Sequence, residues 1–201
     1  MEKELQFKKN FIWNTLGTGL NAFNSLFFMI AVTRINGVDN AGIFTIAFST
    51  ACIIYIIGVY AGRIYQVTEP DKTITDKEYI INRVITTISM LILVIIFSLI
   101  RGYDIFKSAI FFLLTLYKAL EAFSDVIYGV LQKNEKLDIV GKSLFFKSLI
   151  SVIVFVLVDI ITKNMTISII TIILTSLIII LVYDIKKSIR YIDFKLPVKK
   201  E

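Results

Sequence analysis

Residues 108–131 read SAIFFLLTLYKALEAFSDVIYGVL, and the fold turns on whether this stretch crosses a membrane. It is long enough, because a spanning helix needs about 20 mostly apolar residues. It also carries Lys118, Glu121 and Asp125. At about 100° per residue, Thr115, Lys118, Glu121, Asp125, Tyr128 and Gln132 share about 140° of arc, so the charges form one polar stripe. A rise of about 1.5 Å per residue sets Lys118 and Glu121 near the middle of the stretch. A charge at the bilayer centre costs about 2.5–3.5 kcal/mol, so such a stripe must face a cavity or a partner. A plainer reading is that Lys118 and Glu121, three residues apart, neutralise each other as a structural pair. Asp125 weighs against it, since it leaves the stripe with one positive and two negative charges. We read residues 108–131 as a cavity-lining span.

Outward from this stretch, residues 11–33, 40–62, 84–100 and 165–183 contain no charge, and residues 143–162 contain only Lys147 and Asp159. The expectation is an all-α membrane protein, a six-helix bundle over residues 1–184 with spans at about 11–33, 40–62, 83–100, 108–131, 141–162 and 165–183. Residues 185–201 read as a basic cytoplasmic tail or linker containing Pro197. The basic leader with Lys3, Lys8 and Lys9 could pass for a secretory signal. The apolar run after it is about twenty residues long with no small-residue cleavage pattern, so it is read as an uncleaved first span.

Composition agrees. The hydrophobic fraction is 56% and the mean hydropathy +0.77, against about 45–50% apolar residues in soluble domains. The net charge of +6 reports topology rather than nucleic-acid binding, because the basic residues flank apolar runs without forming an aromatic-interleaved patch. The N-terminus, residues 63–83, residues 132–142 and the tail hold sixteen Lys and Arg, and the opposite side holds four. That asymmetry places both termini in the cytoplasm. Losing one whole span would reverse this; shifting a boundary would not.

The turns carry their own signals. Asn36-Gly37 and Arg101-Gly102 mark tight turns. The longer 63–83 connection contains Pro70, and Thr75-Asp76-Lys77-Glu78 reads as a capping box that starts the third long helix near Thr75.

Several side chains are candidates for more than packing. Lys147 sits about as far from the 132–140 turn as Asp125, so the two are expected to pair across the hairpin or to share a cavity; alternatively Lys147 reaches to the interface. Arg63, with Gln66 one turn on, is placed to bind a phosphate bidentately or simply to anchor the helix end. Asn14, Thr18, Asn21 and Ser25 share about 60° of the first span, and Gly42, Thr45, Ser49 and Cys52 share a face of the second. Such stripes commonly serve helix packing; Asn14 and Asn21 are the members most costly to bury unpartnered. The single cysteine, Cys52, forms no intrachain disulfide, and there is no histidine, which removes His-based hydrolysis and His-ligated metal sites. No phosphate loop, triad or Asp-x-x-Asp motif is present. We expect no catalytic residue, metal or cofactor, and no enzyme.

Residues 33–44 (TRINGVDNAGIF), 62–69 (GRIYQVTE), 118–129 (KALEAFSDVIYG) and 131–143 (LQKNEKLDIVGKS) together resemble the N-terminal half of bacterial polysaccharide flippases. These are oligosaccharide-lipid translocases related to the multidrug and toxic compound extruders. The resemblance implies two six-helix bundles in a V around a central cavity, with alternating access between them. It implies movement of undecaprenyl-diphosphate-linked repeat units across the bacterial cytoplasmic membrane for capsule or lipopolysaccharide. It also implies that Arg63, Lys118 and Lys147 attract the diphosphate, and that Glu121 and Asp125 carry a coupling ion. The chain stops after its sixth expected span, so a truncated fragment, a second six-helix half or a homodimer is expected. Half of a small-molecule exporter, and a non-transporting or inactive membrane subunit, are the rival readings.

Overall fold

The computed structural model describes residues 2–69 and 73–192. Pro70, Pro197 and the tail from residue 193 lie outside the described residues. Every regular element among those described is helical: α1 (Glu2–Ile35), α2 (Val38–Val59), α3 (Gly62–Thr68), α4 (Asp76–Ile100), α5 (Ile105–Lys133), α6 (Leu137–Thr162) and α7 (Met165–Ile179). A π-helical turn, Ile180–Ile185, and a last turn, Lys186–Ser188, continue α7.

Among the described residues, five helical stretches are long and apolar enough to cross a membrane: Lys3–Ile35, Val38–Thr68, Asp76–Ile100, Leu137–Thr162 and Met165–Ser188. α5 is equally long, but its charges keep it out of that set. Its place in the bundle supplies the physical reason it tolerates them. α5 packs against α2, α3, α4, α6 and α7, and most of its length from Ile110 to Leu131 is buried or half-buried. The outward faces are apolar instead, with Ile92 and Ile96 of α4, Ile153 and Leu157 of α6, and Leu174 and Ile178 of α7 exposed. An apolar exterior around a polar-lined interior is the pattern of a chain whose solvent is lipid, and the protein is a multi-pass membrane protein.

The two ends of the bundle differ. Towards the α1–α2 and α6–α7 turns the interior is sealed by rings, with Phe28 and Phe155 centroids 4.8 Å apart and Phe44 packed 6.2 Å from Phe155. Asp159 is buried there and accepts hydrogen bonds from Asn36 (2.7 Å) and Ser168 (3.0 Å), tying α1, α6 and α7 together. Gly37 and Gly102 take positive φ, 86° and 61°, in the two turns the sequence marked. Towards the N-terminal end the same interior holds charges.

α1 and α6 meet backbone to backbone. A Cβ on Gly141 would fall inside contact distance of the Trp13 and Asn14 backbone, and one on Gly17 would strike the Gly141 carbonyl. Beyond this crossing, Gln6 and Asn10 dock on the α5–α6 link through Asp138 (3.0 Å) and the Glu135 carbonyl (2.9 Å).

The capping box is formed: Thr75 Oγ1 accepts from the Glu78 N–H, and Glu78 accepts from the Thr75 N–H at 2.7 Å. Before it, the Glu69 carboxylate accepts from the Thr73 N–H, Thr73 hydroxyl, Ile74 N–H and Tyr79 hydroxyl. Burial works against its ionised form, but these bonds outweigh it and hold its pKa below the ordinary carboxylate value.

Between α2 and α3 the chain breaks at Tyr60 (φ 34°) and Ala61 (φ 58°), two consecutive left-handed residues without a glycine. Each such residue costs about 1–2 kcal/mol. The break is held from α4: Arg83 donates to the Gly58 carbonyl (3.1 Å) and lies 5.7 Å from the Tyr60 ring centroid, and Asn82 donates to the Tyr60 hydroxyl (2.7 Å). Replacing Ala61 by Gly removes its Cβ penalty and adds back some unfolded-state freedom, a net gain of about 0.5–1 kcal/mol. A rise of about 2 °C in melting temperature in detergent is expected; a fall would mean that the break is not strained.

Candidate functional site

Glu121, Asp125 and Tyr128 of the α5 polar stripe face a cavity of about 200 Å³ at the N-terminal end of the bundle, and Thr115, Lys118 and Gln132 lie outside its lining. Thr18 and Asn21 come from α1, Tyr55 from α2, Arg63 from α3, Glu121, Ser124, Asp125 and Tyr128 from α5, and Leu144 and Lys147 from α6. α1 with α6 forms one wall, and α2 with α5 the other.

Asp125 lies between two guanidinium groups. Arg63 Nη1 donates to Oδ1 at 3.5 Å and Arg83 Nη2 to Oδ2 at 3.2 Å. Arg63 also donates through Nε to Gln132 at 2.9 Å. Arg83, 3% exposed, is the more buried partner; Arg63, at 24%, retains an open side.

Lys147 is buried. The pairing expected with Asp125 does not form: the counterion is Asp184, 2.8 Å away and itself 1% exposed. An ammonium has three donors, and Lys147 directs them to Asp184, Ser124 (2.8 Å) and Tyr128 (3.1 Å). Ser143 donates to the other Asp184 oxygen. The physical reason for the changed partner is the π-helical turn. Its wider winding carries Asp184 into the bundle, and an acid inside the bundle is a nearer counterion than one already held by two arginines. Asp125 and Lys147 do line one cavity. The Tyr128 ring stands between the two clusters, 5.8 Å from Arg63 and 5.4 Å from Lys147.

Lys118 and Glu121 form the i,i+3 pair at 2.7 Å. Glu121 borders the cavity, whereas Lys118 sits against the Phe48, Tyr55 and Tyr117 rings at 4.9, 5.8 and 5.6 Å. Such a setting stabilises a cation without directing it at a ligand. Asn21 accepts from Ser148 at 3.1 Å and borders the cavity. Asn14 is half-buried at the α1–α6 crossing, away from the cavity lining. Ser25 turns to a separate groove with Thr45 and Ser49.

Two members of the site escaped the sequence reading. Arg83 enters the sequence reading only as a basic residue at the start of the 83–100 span, with no part in the site. Asp184 is the last residue of the expected bundle, directly after an uncharged run, and carries no role in the sequence reading. A charge abutting a span, within one turn of its end, was the available signal for both. Among the described residues, two cations, Arg63 and Lys147, and two carboxylates, Glu121 and Asp125, line the cavity, and Arg83, Lys118 and Asp184 stand behind them as ion-pair partners. The lining charges balance, and Arg63 is the cation among them with an open side.

No protein-family model and no solved structure matches the chain. The chain is similar to a capsular polysaccharide biosynthesis protein, CapF, of Staphylococcus aureus, with 24% identity over 189 residues. The match covers 94% of this chain and 46% of the relative, so the chain spans about half the length of the curated relative it matches.

Proposed function

We propose that this bundle forms one wall of a pathway that moves undecaprenyl-diphosphate-linked oligosaccharide repeat units across the bacterial cytoplasmic membrane for surface polysaccharide. In this reading α5 is a sixth span, both termini are cytoplasmic, and the fold is half of a two-bundle exporter-like transporter. The observation that carries it is the charged cavity. A chain facing lipid tolerates buried charge mainly where it lines a pathway or a partner, and here the open side of Arg63 suits a phosphate. The likeness to a capsular polysaccharide biosynthesis protein supports the polysaccharide context, and sixteen basic residues against four support the orientation. Arg63 is the phosphate ligand with room to act; Asn21 meets sugar hydroxyls. Glu121 and Asp125 are the groups that would exchange an ion. A second half, from another six-helix element or a second copy, supplies the facing wall. The protein transports and performs no chemistry.

One observation favours the rival of a non-transporting membrane subunit: every charge around the cavity already has a partner. Deleting the gene in its own host separates the readings. Flipping predicts loss of surface polysaccharide with lipid-linked repeat units accumulating on the cytoplasmic leaflet. Normal polysaccharide with raised sensitivity to cationic amphiphiles would indicate an exporter and contradict the proposal. Normal polysaccharide and normal drug sensitivity would leave a structural subunit.

A further inference from the structure

α3 has two unlike faces. Arg63 turns to the charged cavity, bonded to Asp125 and Gln132. The next residues, Ile64 and Tyr65, turn to a second and larger hollow of about 500 Å³, completed by Tyr60, Ile74 and Tyr79. Ile64 and Tyr65 are exposed there, at 67% and 55%. Arg63 and Ile64 are adjacent and point about 100° apart, so the charged cavity and the apolar groove lie on neighbouring faces of one helix of seven residues.

The groove exists because the α2 helix is interrupted. A continuous helix through Tyr60 and Ala61 would keep α3 on the axis of α2. The left-handed pair turns it aside, and both strained residues line the groove. Strain of this kind is held where the surrounding structure over-determines it, often at binding sites. Arg83 does the holding, and the same side chain binds Asp125. The groove and the cavity therefore share one fastening.

A lipid whose phosphate enters a polar cavity must keep its chain in apolar surroundings, because each exposed methylene costs about 0.8 kcal/mol. We propose that the groove between α3 and α4 receives the polyprenyl chain of the lipid carrier while its phosphate meets Arg63 on the neighbouring face of α3. This rests on the flippase reading above and adds to it a place for the lipid part of the substrate. Tyrosines at Tyr60, Tyr65 and Tyr79 suit the level of the groove, where aromatic rings border headgroups.

The test uses the full chain in nanodiscs of phosphatidylcholine with brominated acyl chains, in a Trp13→Phe background. Tyr65→Trp reports on the groove, Ile64→Trp is a second groove reporter, and Ile92→Trp reports on an ordinary lipid-facing site. Bromine quenches all three. Undecaprenyl phosphate at about ten times its dissociation constant is expected to lower quenching at both groove reporters about tenfold by mass action, leaving the Ile92→Trp signal unchanged. Arg63→Ala should remove that protection. Phosphatidylglycerol at the same concentration should not protect; equal protection by it would overturn the assignment to the carrier chain. A cavity reporter, Thr18→Cys in a Cys52→Ala background, separates the two claims. If undecaprenyl phosphate slows its reaction with a water-soluble maleimide but leaves the groove quenched, the groove proposal falls and the flippase reading stands. If neither reporter responds, both fall.

Discussion

Replacing Lys147 with methionine is expected to cost about 3–5 kcal/mol, the loss seen when one partner of a buried ion pair is removed. That is a large share of a typical total of about 5–15 kcal/mol. The reason lies in what stays behind. Asp184 would remain buried with only the Ser143 and Tyr128 hydroxyls near it, and a carboxylate without a cation in such a place must lose its charge or its burial. The π-helical turn that carries Asp184 inward would then lose its anchor, and α7 would part from α5 and α6 at the N-terminal end. The double variant Lys147→Met/Asp184→Leu should recover to within about 1–2 kcal/mol of the parent, because a well-packed apolar pair often replaces a buried ion pair without loss. Tyr128 and Ser143 can still bond each other at 2.8 Å, and Ser124 keeps its bond to the Leu120 carbonyl. Heat unfolding of the parent and the two variants in detergent measures this. A single Lys147→Met variant within about 1 kcal/mol of the parent would show the pair to be hydrated rather than buried.

The second large effect is expected at the α1–α6 crossing. Gly141→Val introduces a branched side chain where even a Cβ collides with the Trp13 and Asn14 backbone. A side chain can rotate out of a clash and a helix backbone cannot, so the cost should reach about 3 kcal/mol, the upper part of the overpacking range. Small residues at such crossings are what let membrane helices approach closely. Gly19→Ala is the control, being two residues from Gly17 on the same helix with open space around its Cβ position. It should stabilise by about 0.5–1 kcal/mol through helix propensity alone. Size-exclusion profiles of fluorescent fusions would show Gly141→Val aggregated and Gly19→Ala monodisperse. Equal behaviour of the two would mean that the helices do not touch there.

Local features were the legible part of this structure. Apolar runs separated by charge delimit the helices because lipid imposes one simple demand on length and polarity. The Thr75 capping box and the glycine turns at Gly37 and Gly102 were readable because each is satisfied within four or five residues. The α5 stripe was readable because period alone sets it. What the sequence withheld was which groups meet. Lys147 finds Asp184 and not Asp125 because of a π-helical turn, and nothing in ILVYDI announces one. The interruption at Tyr60–Ala61 contains neither proline nor glycine; it is enforced from α4 by Arg83, a tertiary cause invisible in the segment it bends. The place of α5 is similar. Its charges argue against a span when the helix is taken alone, and the surrounding helices remove the objection by keeping those charges from lipid.

The central claim is that the N-terminal half of the bundle holds a water-accessible cavity that takes the diphosphate head of a lipid-linked oligosaccharide. Its most direct test is the rate at which Thr18→Cys, in a Cys52→Ala background, reacts with a water-soluble maleimide, with and without undecaprenyl-diphosphate-linked oligosaccharide. Thr18 is exposed and borders the cavity. The proposed function predicts ready labelling that slows about tenfold when the lipid-linked sugar is near ten times its dissociation constant, and no slowing in Arg63→Ala. A thiol that does not react, or one whose rate ignores the lipid-linked sugar, would contradict it.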